Sequence, residues 1–384
     1  MPAAKRKESI VHRLKNRALG IALAGTAAGG LLLVGAAAAS AAPLSAGGGV
    51  HGFVYTSTNS AAGNQVEAFA RSGDGTLTLA GTYNAGGTGT AANYGQGAVT
   101  LSPDRQTLLV VDAGSNQVSD FAVLPNGALR LRNVVASGGT TPTSVAIRGG
   151  LAEVLNSAGT ANVAGFFATP AGLVAIPGGS QPLSTGASSP EDVAISPDGR
   201  HAVVTEKVSD TIDTFAIGLR GTLAPAVTSA SDSPLAFAEA FTPTGELLVA
   251  DDGASGTSAV SPYRIAANGT LDATQAAVPD SQTAACWITL GHDGDVFVDN
   301  AGTQIISSYH VSPFGQVTLT GNTSPGTGVT PLDNSVSSDG QNLYVFEAVS
   351  GSDQLGEFSI GANGSLTSVG TQALPTGSEG VAAS

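Results

Sequence analysis

Seven polar residues recur at matching places along the chain: Thr56, Asp112, Asn156, Glu206, Asp251, Asn300 and Glu347, each the second residue after a valine in a short apolar run. All but Thr56 carry a carboxylate or an amide. Carboxylates exchange protons, and several oxygens gathered in one place can hold a hard divalent cation such as Ca²⁺. Asp112, Glu206, Asp251 and Glu347 are the candidate ligands for such an ion, and no other cofactor is implied. The same side chains also close tight loops by bonding backbone N–H groups. Which use prevails depends on whether the fold brings them together.

Other chemistry-bearing residues give weaker patterns. His51, His201, His292 and His310 lack metal-ligand spacing. Cys286 is the single cysteine, so no internal disulfide can form. It stands beside Trp287 with no histidine near it in its own repeat unit except His292, across a hairpin at the far rim, which reads as an inert buried thiol. Glycine-rich stretches such as "NAGGTGTAANYG" have no phosphate-loop spacing.

The elements that position these residues repeat. A V-x-x-[FY] core occurs seven times, ending on Phe69, Phe121, Phe166, Phe215, Tyr263, Tyr309 and Phe358, at intervals of 45 to 52 residues. A glycine-closed turn and another short strand follow each, as in "SGDGTLTL" and "AANGTLDA". Ahead of each lie a second apolar strand and, in most units, a further hairpin such as "VAISPDGR". Each unit is therefore four antiparallel strands. A valine and an aromatic three positions apart point to opposite faces of a strand, so both faces must be buried between neighbouring sheets. An all-β, seven-bladed β-propeller of four-stranded antiparallel blades meets that requirement.

The two ends of the repeat array match. The first unit opens on "HGFVYTST", its second strand, and the chain ends on "EGVAAS" with no partner hairpin. Residues Glu379 to Ser384 are expected to supply the missing innermost strand of the first blade and close the ring. In that fold the seven polar positions share one rim with the starts of the innermost strands. Glu191, Asp192, Asp333 and Asn334 join them there, with Trp287 as a stacking surface. The expected site is an acidic pocket at one mouth of the axial channel. Lys207, Glu191, Asp192, Asp251, Trp287, Asn300, Asp333, Asn334 and Glu347 are the candidates for holding substrate.

The repeats, above all "SPEDVAISPDGRHAVVTEKVSDTIDTFAI", resemble the seven-bladed lactonase family that includes bacterial 6-phosphogluconolactonase and the fungal carboxy-muconate lactonizing enzyme. The resemblance covers about Val50 to Ser384. It implies hydrolysis of a sugar-acid lactone or a related small molecule, with the family's glutamate at Glu206 as the catalytic candidate. The family's arginine and histidine would fall on Glu191 and Thr143, so two of the three positions are changed. Opening a lactone needs a stabilised oxyanion and a proton carrier, and Lys207 is the nearby cation that could serve if it bends inward. The alternative is a non-catalytic propeller that binds an extracellular ligand or protein.

Residues 1–41 read as an export signal: basic residues precede the apolar run "ALGIALAGTAAGGLLLVGAAAA", and Ala39-Ser40-Ala41 offers a cleavage site. An uncleaved anchor is the competing reading. Residues 42–49 read as a flexible linker and 50–384 as the propeller. Cleavage leaves nine Lys and Arg against 28 Asp and Glu, which disfavours nucleic acid and anionic membranes as partners. The expected product is a secreted monomer that meets a small molecule or an extracellular protein.

Overall fold

The computed structural model describes residues 49–91, 95–185, 189–253 and 257–384. The export segment and residues 42–48 of the linker lie outside the described residues.

The repeats fold into seven antiparallel sheets. In blade four the order from axis to rim is Pro190–Ile195, His201–Glu206, Thr211–Ala216 and Val227–Ala230. The turn from the first to the second of these strands shows why "SPDG" recurs. Ser196 Oγ donates to Asp198 at 2.7 Å, the Arg200 amide donates to the same carboxylate, and Gly199 takes φ 69°. A left-handed residue is least strained as glycine.

The periodic aromatics do what their spacing requires. All seven are buried to 2% exposure or less. Within one strand, Val66 joins one hydrophobic cluster and Phe69 another, so each sheet is buried on both faces.

The ring closes as the matched ends require. The last strand, Glu379–Ala383, is the innermost strand of blade one and pairs with Gly52–Ser57. Ser384 completes the seam: its amide donates to the Phe53 carbonyl at 2.8 Å, and its hydroxyl accepts from the Phe53 amide at 2.8 Å.

Blade five departs from the four-strand plan. Its outer edge is split into Leu271–Ala273 and Val278–Pro279, both paired with Ala259–Ile265. Pro262 lies in that third strand and has no N–H to offer the outer ladder, which breaks where Thr274 donates to the Pro262 carbonyl.

Candidate functional site

The seven polar positions end up apart. Asp112 accepts from Asn64 Nδ2 at 2.9 Å and Ser119 Oγ at 2.6 Å. Asn156 donates to the Ser137 carbonyl. Glu206 accepts from Ser184 Oγ at 3.2 Å and Thr185 Oγ1 at 2.6 Å. Asp251 is held by Ser231 and Ser261, Asn300 by Ser307, and Glu347 by Gln354. Each of these residues is buried, at the end of its own second strand or, for Asn156 and Glu347, two residues before it. In several blades the partner lies on the segment arriving from the preceding blade, so the side chain closes the seam between blades. Asp112, Glu206, Asp251 and Glu347 therefore do not share one pocket. Among the described residues no group of three or more His, Cys, Asp or Glu is placed to hold a metal ion.

The position expected at Thr56 belongs to Thr58. Val54 pairs with Phe69 as Ala202 pairs with Phe215, which places the counterpart of Glu206 four residues beyond Val54. Thr56 instead donates to the Gly380 carbonyl inside the closure seam.

What the fold does gather lies on the innermost strands. Asp192 accepts from Ser144 Oγ at 2.7 Å, from Gln96 Nε2 at 2.9 Å and from the amides of Val193 and Glu239. Gln96 arrives from the segment leading into blade two and crosses the axis. Its amide also donates to the Glu239 carbonyl at 3.2 Å and accepts from the Ile288 amide at 2.8 Å. One side chain thus links blades four, five and six. Below it lies a cavity of about 230 Å³ that Asp333 and Asn334 help to line. Asp333 accepts from the amides of Asn334 and Val381.

Burial raises the acids of these innermost strands. Asp192 is pushed up to about 6 by loss of solvent, against the pull of its four donors. Glu239 is raised well above the usual range by burial and by Asp192, and Asp333 by burial and by Asp299 and Asp192.

At the mouth, Lys207 follows directly on the strand that ends at Glu206, and its side chain bends inward. Its Nζ lies 2.8 Å from Asp252 and 4.5 Å above the Phe237 ring. Burial works against the charge, yet the neighbouring Asp252 and Glu191 help to outweigh it, and Lys207 titrates above its ordinary value. Glu191 stands at a bulge of the inner strand, between Pro190 and Asp192, and accepts from Ser189 Oγ. Trp287 is not a stacking surface for a ligand: it is fully buried, 5.2 Å from Phe237 with the rings tilted by 55°. Cys286 is buried beside it, and burial drives its thiol well above the normal range. Thr143 is also buried.

Sequence reasoning missed Gln96, Glu239, Ser144 and Asp252. Glu239 did leave a signal. In "AFAEAF" it breaks the apolar pattern at the place held by Val193 in "PEDVAI", as their matching partners Val249 and Val204 show.

A protein-family model described as "Lactonase, 7-bladed beta-propeller" matches residues 60–157 and 160–288, more than half of the chain. No curated protein sequence matches significantly. Among solved structures, the periplasmic gluconolactonase of Pseudomonas aeruginosa is similar at 19% identity and TM-score 0.67, over 85% of this chain and 97% of that one. A candidate 6-phosphogluconolactonase of Bacteroides fragilis is similar at 20% identity and TM-score 0.65, over 87% and 98%. A protein of unknown function from Desulfotomaculum acetoxidans is similar at 12% identity and TM-score 0.65, over 86% and 98%. At these identities the likeness to solved structures concerns the fold.

Proposed function

Because the chain belongs to the lactonase family of seven-bladed β-propellers, we propose that it hydrolyses an uncharged lactone of a sugar acid or related hydroxy acid, at the channel mouth and outside the cytoplasm. The observation that carries this reading is Asp192. Four donors fix its carboxylate on the innermost strand of blade four, and its pKa of about 6 suits a general base at neutral pH. Water attacks the lactone carbonyl as Asp192 takes its proton. The ring C–O bond then breaks, the proton passes to the departing alkoxide, and a hydroxy acid leaves. Lys207 supplies the positive charge that the developing oxyanion needs. Substrate reaches Asp192 by displacing Gln96.

Glu206, with its carboxylate tied to Ser184 and Thr185, takes a positioning part beside Lys207. The acidic Glu191 at the rim would repel a phosphorylated substrate, which is why an uncharged lactone is preferred. Export through residues 1–41 belongs to the same reading. Among the described residues no helix is long and apolar enough to cross a membrane.

The second reading, a propeller that binds without catalysis, draws on Gln96, which bridges three blades across the channel, and on Glu191 and Thr143 at the places of the family's arginine and histidine. Purified protein assayed against aldonolactones, phosphorylated aldonolactones and aryl lactones separates the two. Turnover of uncharged lactones that Asp192→Asn abolishes supports hydrolysis. Binding without turnover across the panel supports the alternative.

A further inference from the structure

The solvent-facing arginines of this acidic chain lie on one side of the propeller. Nine Lys and Arg lie beyond residue 49. Three are held inward in ion pairs: Arg71 with Asp339, Arg132 with Asp120 and Lys207 with Asp252. The other six, Arg105, Arg130, Arg148, Arg200, Arg220 and Arg264, all stand in or beside turns at the end opposite the Asp192 mouth, and all belong to blades two to five. The mouth side exposes acids such as Asp210 and Asp232.

The local acids of this arc do not cancel it. Asp104 and Asp198 are engaged in their own turns, by Ser102 and the Gln106 amide and by Ser196, the Arg200 amide and, at 4.0 Å, the exposed Arg200 guanidinium. Asp272 faces Arg264 across the outer ladder of blade five. Glu246 follows the Pro243–Gly245 turn of blade five and is buried against Thr274. Four acids against six arginines leave the arc positive.

Shape and apolar surface add to the charge. A groove of about 740 Å³ between blades three and four is lined by Leu151, Phe167, Arg200, His201 and Leu219, and one of about 600 Å³ between blades four and five by His201, Pro243 and Arg264. The two share His201. Leu219 is fully exposed, and Phe167 and its cross-strand partner Val174 are 38% and 52% exposed. The floor is open, since a side chain built at Gly149 or Gly199 would meet nothing within 4 Å.

We propose that this face, centred on blade four, docks a segment of a partner protein that carries acidic residues interspersed with leucine or phenylalanine. The arginines would pair with carboxylates while the apolar side chains fill the grooves around Leu219 and Phe167. Two concave grooves meeting at one histidine fit a polypeptide better than a flat bilayer. The surface lies at the far end of the channel from Asp192, so the proposal stands whether or not the mouth is catalytic.

The test uses fluorescence anisotropy of the exported protein with a labelled short peptide alternating glutamate and leucine. A lysine–leucine analogue, a glutamate–serine analogue and phosphatidylglycerol vesicles are run alongside. The acidic apolar peptide should bind best and weaken with salt. Arg200→Glu with Arg264→Glu should weaken it by about tenfold or more, and Leu219→Ser by several-fold. Arg130→Glu, outside both grooves, should change it by less than about twofold. Melting curves verify that each variant is folded. Binding that ignores these substitutions, or a lysine–leucine analogue that binds equally well, overturns the proposal. So does tighter binding to the vesicles, which would make this a lipid face, or a mass that rises with concentration and falls on charge reversal, which would assign it to a second copy of the chain.

Discussion

Arg71 and Asp339 are 268 residues apart in sequence, and their side chains meet at 2.7 Å across the seam between blades one and seven. Arg71 is 1% exposed and also donates to Asn342 Oδ1 and to the His51 carbonyl. It thus ties the first described strands to the last complete blade, beside the strand pairing that closes the ring. Arg71→Met should cost about 1.5–3 kcal/mol, the range for hydrogen bonds to a charged group, since Asp339 is one-third exposed and partly screened. Denaturant unfolding measures it. An unchanged midpoint would mean that the clasp adds nothing to closure.

Removal of residues 379–384 strips the whole innermost strand from blade one. The ladder groups of Gly52–Ser57 then lose their partners, and an open edge of that kind recruits other chains. The truncated protein should melt at a markedly lower temperature and aggregate on concentration, read by calorimetry and light scattering. A melt like that of the intact chain would show that the ring is held by the other blades alone.

Stability should fall as pH rises from about 5 to above 8. Glu153 is fully buried and raised from 4.5 to about 8 by burial, while burial raises Glu347 and Glu357 to about 7 and Asp192 to about 6. Between its ordinary and its raised pKa each acid holds a proton in the folded state that the unfolded chain has released. The folded state therefore binds more protons, and unfolding free energy declines through that interval. Glu153→Gln should remove roughly 2–4 kcal/mol of this decline. A variant whose stability falls with pH as steeply as the parent's would place the dependence elsewhere.

The fold was legible because its information is periodic. The valine and aromatic of each third strand report two buried faces, and the half-unit at each end reports closure. The site was legible only in part, because Asp192, Asp333, Asn334 and Lys207 lie at repeat positions whereas their key partner does not. Gln96 comes from a segment between blades and reaches blades four to six through the third dimension. The polar series was misleading for a physical reason. A carboxylate at a strand end can close a seam or face a channel, and side-chain direction, which a single repeat pattern does not encode, decides between the two. The offset at Thr56 has the same origin: counting from valine replaced counting from the cross-strand aromatic.

Exported protein should begin at Ala42, with the basic segment removed. Intact-mass measurement on culture supernatant reads this directly. A full-length mass in the membrane fraction would replace secretion with an N-terminal anchor.

Asp192→Asn and Glu206→Gln should divide the roles of the two carboxylates. If Asp192 is the base, kcat/KM for an uncharged lactone should rise through a pKa near 6 and level off above it, because only the ionised carboxylate accepts a proton. Asp192→Asn should abolish that limb along with at least about two orders of magnitude in rate, the low end of what general-base catalysis supplies. Glu206→Gln keeps the size and an acceptor oxygen for Thr185 and loses the charge. It should leave the pH limb in place, lower kcat through the loosened position of Lys207, and cost about 1–3 kcal/mol of stability. The outcome that reverses the assignment is equally definite: a limb that survives Asp192→Asn and vanishes in Glu206→Gln makes Glu206 the base, and Asp192 then serves to hold Gln96 across the channel.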